Sequence, residues 1–177
     1  CLRGDTKVTL GDGRRRPIRD IVEAHLDDPK PIDDGVYDTV DIPLPSLTDD
    51  GRIAQRRATK VWKREAPDRM YRIRTASGRE LEVTPSHPLF VQSGGEFEAV
   101  RAENIDTGTR IAAAPDRIDL AQNSGRLARA DGGSASLPAE TDVVDRIDPI
   151  VPDYDWVYDL EVPGTHNYIS NGVVSHN

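Results

Sequence analysis

Sulfur is almost missing from this chain of 177 residues: Cys1 is its only cysteine and Met70 its only methionine. A single thiol excludes an intramolecular disulfide and a thiolate zinc cluster, both of which need several sulfurs at set spacings. It leaves one free nucleophile at a chain end. With Met70 the sole methionine, the first residue reads as a processing or excision boundary. No apolar run approaches the roughly 20 residues of a bilayer-spanning helix, and no basic region followed by an apolar stretch marks an export signal. A cytoplasmic protein with no membrane partner is the expectation.

Lysine is also scarce, at Lys7, Lys30, Lys60 and Lys63, and the net charge is -8. Phosphate binding draws on clustered basic residues in excess, so no nucleic-acid partner is expected. The acidity rests on Asp more than Glu, a balance that suits a salt-adapted cytosol in which high salt screens self-repulsion. An ordinary acidic protein of a GC-rich genome shows the same composition. The length suits one domain with a real core, and a monomer is the simplest state.

Along the chain, Lys7–Leu10 reads as a short strand entering the turn Gly11-Asp12-Gly13. Pro17 then precedes Ile18, Ile21, Val22 and Leu26 at helical spacing. Residues 28–51 are dense in Asp and Pro and read as loops, with an edge strand at most around Val36–Leu44. The clearest β region is 58–91, with a hairpin about Ala76-Ser77-Gly78. A helical turn is expected at 102–105, then Gly108 and a strand through Ile111. Residues 121–140 read as a flexible linker, dividing an N-terminal segment, 1–120, from a C-terminal one, 141–177. Strand alternation resumes at Val143 and through Val157–Val162, with a final strand at Gly172–Val174. Met70–Arg74 and Val157–Glu161 each precede a turn with Thr or Ser and His, which suggests an all-β fold with pseudo-twofold symmetry.

The chemistry lies at the ends. A positioned, deprotonated Cys1 can attack a carbonyl. An Asn side-chain amide such as that of Asn177 can close on its own backbone carbonyl to a succinimide, and His176 beside it can act as acid or base near neutral pH. Ser86 and Ser175 have no acidic partner at a spacing that would suggest a Ser-His-Asp hydrolase. His25 reads as a solvated residue of the short helix.

Cys1-Leu2-Arg3-Gly4-Asp5-Thr6, Thr84-Pro85-Ser86-His87, Val157-Tyr158-Asp159-Leu160 with Thr165-His166-Asn167-Tyr168, and Val173-Val174-Ser175-His176-Asn177 together resemble, in order, the splicing blocks of inteins. The resemblance implies the horseshoe-like, mainly β fold that inteins share with Hedgehog autoprocessing domains, with one or two short helices and both termini in one cleft. It implies self-splicing: Cys1 makes a thioester, Thr84 and His87 assist at that bond, Asp159 tunes the thiol, and a downstream Cys, Ser or Thr takes the acyl group. Asn177 cyclisation, helped by His166 and His176, then frees the element. The partners implied are its own flanking host segments, in cis. No cofactor or metal is implied, and residues 121–140 are too short to hold a homing endonuclease, so a mini-intein is expected. The opening segment also resembles inteins of archaeal replicative helicases. Two other readings use fewer residues: an N-terminal-nucleophile cysteine hydrolase, which explains Cys1 alone, and a noncatalytic β-domain used for binding.

Overall fold

Segments that alternate β-branched or aromatic with polar residues pair into strands, because that pattern fits a pleated, half-buried surface. The computed structural model describes residues 1–118 and 136–177, and the strands among them join in one antiparallel ladder. In chain order they are β1 (Leu2–Arg3), β2 (Lys7–Thr9), β3 (Arg15–Pro17), then the helix α1 (Ile18–Glu23), β4 (Lys30–Ile32), β5 (Gly35–Leu47), β6 (Arg52–Glu65), β7 (Met70–Thr75) and β8 (Glu80–Val83). There follow β9 (Pro88–Ser93), β10 (Glu96–Arg101), a 3-10 turn (Ala102–Asn104), β11 (Arg110–Ala113), β12 (Ser136–Pro138), β13 (Glu140–Ile150), β14 (Trp156–Glu161), β15 (Asn167–Ser170) and β16 (Val173–His176). None of the described helices is long and apolar enough to cross a membrane.

The expected elements at Lys7, after Pro17, about Ala76–Gly78, at Ala102 and through Ile111 are all present. Residues 28–51 differ from expectation. They carry β4 and the thirteen-residue β5, which pairs along most of its length with β6. Pro43 and Pro45 hide this strand in the sequence, since proline cannot donate to a ladder. Pro43 resolves the conflict by its orientation: its carbonyl accepts from Gly11 N at 2.9 Å, away from β6, so its nitrogen faces that side too. The expected linker also changes at its end. Residues 136–138 form β12 against β6, and β13 begins at Glu140, whereas 121–135 lie outside the described residues.

The two terminal strands sit inside the ladder. β1 lies between β8 and β14, with Leu2 opposite both Val83 and Tyr158. β16 lies between β9 and β15, with Ser175 opposite both Leu89 and Tyr168. The connections repeat this plan: β8 runs through Thr84–His87 into β9, as β14 runs through Thr165–His166 into β15. This is the pseudo-twofold relation expected from sequence, although the counterpart of β14 beside β1 is β8, not β7. The main core gathers Leu2, Val8, Ile18, Ile21, Leu81, Val83, Leu160 and Tyr168, so α1 and β1 are fastened to it from the start of the chain. A second core joins Leu47 and Ile53 to Ile169 and Val174 of the last two strands.

Candidate active site

Register alone assembles the site. In an antiparallel pair, one step back along β1 from Leu2 is one step forward along β8 and β14, which sets Cys1 beside Thr84 and Asp159. One step beyond His176 in β16 likewise sets Asn177 beside His166. The bonds agree: Thr84 N donates to Cys1 O at 3.1 Å, and Asn177 N donates to His166 O at 2.9 Å. A single cleft of about 470 Å³ is lined by Cys1, Thr84, His87, Asp159, His176 and Asn177. His166 faces a smaller cavity of about 260 Å³, also lined by Asn177 and Asp159. All seven residues expected from sequence thus converge on two adjoining spaces.

Cys1 N is held by three groups. It lies 3.2 Å from Thr84 Oγ1, 3.0 Å from His87 Nδ1 and 3.2 Å from Asp159 Oδ2. An ammonium only donates, so His87 Nδ1 accepts and the ring proton belongs on Nε2. That nitrogen is buried and has no partner among the described residues. Burial, and then the Cys1 ammonium, push the His87 imidazole down to about 3, against the pull of Asp159. His87 is therefore neutral while it is buried beside the free Cys1 ammonium.

Asp159 would be raised by its burial, but the facing ammonium, His87 and two hydrogen bonds outweigh this and hold it below its ordinary value. The bonds come from Tyr168 OH at 2.7 Å and Leu160 N at 2.9 Å, both to Oδ1. Oδ2 is left to Cys1. Burial and the Asp159 charge lift the Tyr168 phenol well above its usual range, which keeps it a donor. Tyr168 belongs to a motif visible in the sequence, yet its role is not, since nothing in the spacing shows that β15 turns its ring back onto β14.

At the other end, His176 Nδ1 lies 2.6 Å from Asn177 O, and its ring stacks near that of His166 with centroids 6.0 Å apart. Asn177 Oδ1 is buried without a partner among the described residues. Ser175 is fully buried and bonds the Ser170 hydroxyl, which explains a polar residue in an inward position. His25 departs from expectation: it lies just past α1, is half-buried, and places Nδ1 2.7 Å from Ile21 O. Among the described residues, no three His, Cys, Asp or Glu side chains are gathered as a metal ligand set.

Known proteins resemble this chain over nearly its whole length. The chain is 29% identical over 98% of its length to part of the DNA polymerase II large subunit of Halobacterium salinarum, and 30% identical over 98% to that of Methanoculleus marisnigri. It spans only 14% and 12% of those proteins. It is 33% identical over 92% of its length to part of a protein of the A-type ATP synthase of Thermoplasma volcanium, spanning 22% of it. Among solved structures, the PabCDC21-1 intein matches with a TM-score of 0.80 at 31% identity, covering 99% of this chain and 96% of that one. The TvoVMA intein matches with 0.77 at 29%, with the same coverage. A family model described as the intein splicing domain matches residues 8–177. With nearly its whole length accounted for by that one model, the chain belongs to the intein splicing domain family, whose activity is protein splicing.

Proposed function

We propose that the residues around this cleft divide splicing between two junctions, upstream of Cys1 and downstream of Asn177. Cys1 N stands for the nitrogen of the upstream scissile bond. The Cys1 sulfur attacks the preceding carbonyl carbon, a C–S bond forms, the C–N bond breaks, and the proton lost by sulfur is the one the departing nitrogen gains. In the precursor that nitrogen is an uncharged amide, so the ammonium that keeps His87 Nδ1 an acceptor here is absent, and His87, 3.0 Å away, relays the proton from Asp159 to it. Thr84 holds both the nitrogen and the carbonyl of Cys1, fixing the bond in one orientation. Asp159 accepts the thiol proton and lies within reach of the same nitrogen.

A Cys, Ser or Thr after Asn177 then takes the acyl group. Asn177 Nδ2 attacks the Asn177 carbonyl carbon, the downstream C–N bond breaks as the proton lost by Nδ2 passes to the departing nitrogen, and a succinimide remains on the element. The freed amine then attacks the neighbouring ester or thioester, which breaks to leave a peptide bond and the free side chain. Asn177 O stands for the oxygen of that carbonyl, and His176, within hydrogen-bond distance, polarises it. His166 fixes the Asn177 backbone through its own carbonyl. The hydrolase reading needs the α-amino group of Cys1 as a base, but here that group faces Asp159, His87 and Thr84 as a donor.

The observation that carries this proposal is the shared cleft, in which both ends of the chain meet the same histidine and aspartate. The partners are the flanking segments of one host chain, and the segment 121–140 is too short to add an endonuclease, so the activity is confined to self-splicing. The hosts of the relatives are proteins of a DNA polymerase and an ATP synthase. About ten residues sequenced on either side would decide between such hosts and the helicase suggested by the opening segment. The test is a precursor with a different reporter protein on each side. It yields the two reporters ligated, and Asn177→Ala stops downstream cleavage while thiol-induced cleavage before Cys1 persists. Two separated reporters and no ligated product from the unaltered precursor would refute the assignment.

A further inference from the structure

The turn that carries His166 is held from behind by a buried polar clamp, and its nearest anchor lies in a region that the sequence presents as loop. His166 has φ 55, in the left-handed region that side chains rarely adopt and that persists only where the surroundings fix it. What fixes it is the carboxamide of Asn167, 1% exposed. Its Nδ2 donates to Thr165 O and to Leu47 O, both at 2.9 Å, and its Oδ1 accepts from Leu47 N at 2.7 Å. Asn167 therefore satisfies both backbone groups of Leu47, the last residue of β5, while bracketing the His166 peptide. The Ser46 hydroxyl, fully buried, lies 2.8 Å from Asn167 Oδ1 and 2.6 Å from Thr165 Oγ1, tying both sides of the turn to the same strand.

We propose that Asn167, with Ser46, is a positioning residue for cleavage at Asn177: the clamp sets the Thr165–His166 turn in the conformation whose carbonyl holds the Asn177 backbone. The inference rests on the splicing reading and adds a division of labour to it. Asn177 N bonds His166 O at 2.9 Å, so the position of the reacting Asn is set by the path of that turn. The contacts of Cys1 N run to Thr84, His87 and Asp159, none of which the clamp touches. Loosening the clamp thus misplaces one reacting centre and spares the other.

The two half-reactions separate the clamp from a merely structural role. Upstream cleavage is read by adding a small thiol to the two-reporter precursor, and release at Asn177 is read in a Cys1→Ala precursor, where the upstream step is blocked. Asn167→Ala slows release at Asn177 by about tenfold or more and leaves thiol cleavage within about twofold, since small misplacements cost large factors only at the centre misplaced. Ser46→Ala gives a smaller loss of the same kind, and Ser46→Thr restores it. Equal losses at both junctions, or no loss at Asn177, overturn the clamp. Where Asn167→Ala is insoluble, Ser46→Ala decides by the same two readings. An unaltered precursor that cleaves at neither end overturns the splicing reading and the clamp with it.

Discussion

His87 is neutral because water is kept from its ring and a cation faces it, and neutrality has a thermodynamic signature. Its folded value of about 3 lies below the ordinary 6.5, so between these limits the unfolded chain binds a proton that the folded chain refuses. The stabilisation is complete above 6.5 and is lost as pH falls toward 3. From pH 7 to pH 4 the loss is about 3 kcal/mol for this one group. Asp159, also lowered, acts in the same direction below its ordinary 3.8. We predict that urea denaturation of the chain with a free Cys1 amine shows this fall, and that His87→Gln removes most of it down to pH 4. A variant that tracked the parent between pH 7 and pH 4 would show that His87 is not the group refusing protons.

Among the elements, the long β5–β6 hairpin ties together more of the molecule than any other. It carries β4 and β14 on its outer sides, and its end holds the His166 turn. At Gly35, opposite Arg64, the strands come so close that an added Cβ would overlap the Lys63 carbonyl oxygen of the facing strand. Gly35→Ala is therefore expected to destabilise by about 1–3 kcal/mol, as overpacking does, seen as a lower midpoint in thermal unfolding. An unchanged midpoint would mean that the strands separate there without cost. This hairpin is also the least legible part of the sequence. Strands with regular alternation, such as β7, β8 and β14, announce themselves, and the residues at the cleft are named by four short motifs in order. Pro43 and Pro45 send the opposite signal locally, and only the direction of each backbone group shows why they are tolerated. Ser46, and the roles of Asn167 and Tyr168, escape notice for a related reason: they act through contacts across more than a hundred residues, or between strands consecutive in the chain but apart in the ladder, and spacing carries no trace of such contacts.

At the scale of the whole molecule, the excess of eight negative charges is spread over a surface whose cations are mostly committed to neighbours, Arg57 to Asp41, Arg64 to Asp34 and Arg74 to Glu80 among them. Exposed pairs of this kind contribute little, while the unpaired acidity repels itself. The midpoint of urea denaturation should therefore rise from dilute buffer to molar sodium chloride, with the steepest gain where the Debye length first falls below the spacing of surface charges. A midpoint indifferent to salt would place the molecule among ordinary acidic proteins. The interior position of β1 has a different consequence, one of timing. Its neighbours are supplied by Val83 and by Tyr158, late in the chain, and Asp159 follows directly. A ribosome making the host protein has thus synthesised almost the entire element before Cys1 meets its last partner. On the proposed roles, the nascent host chain carries an unarmed thiol until then, and the upstream cut waits until nearly all of the element, though not yet Asn177, has been made.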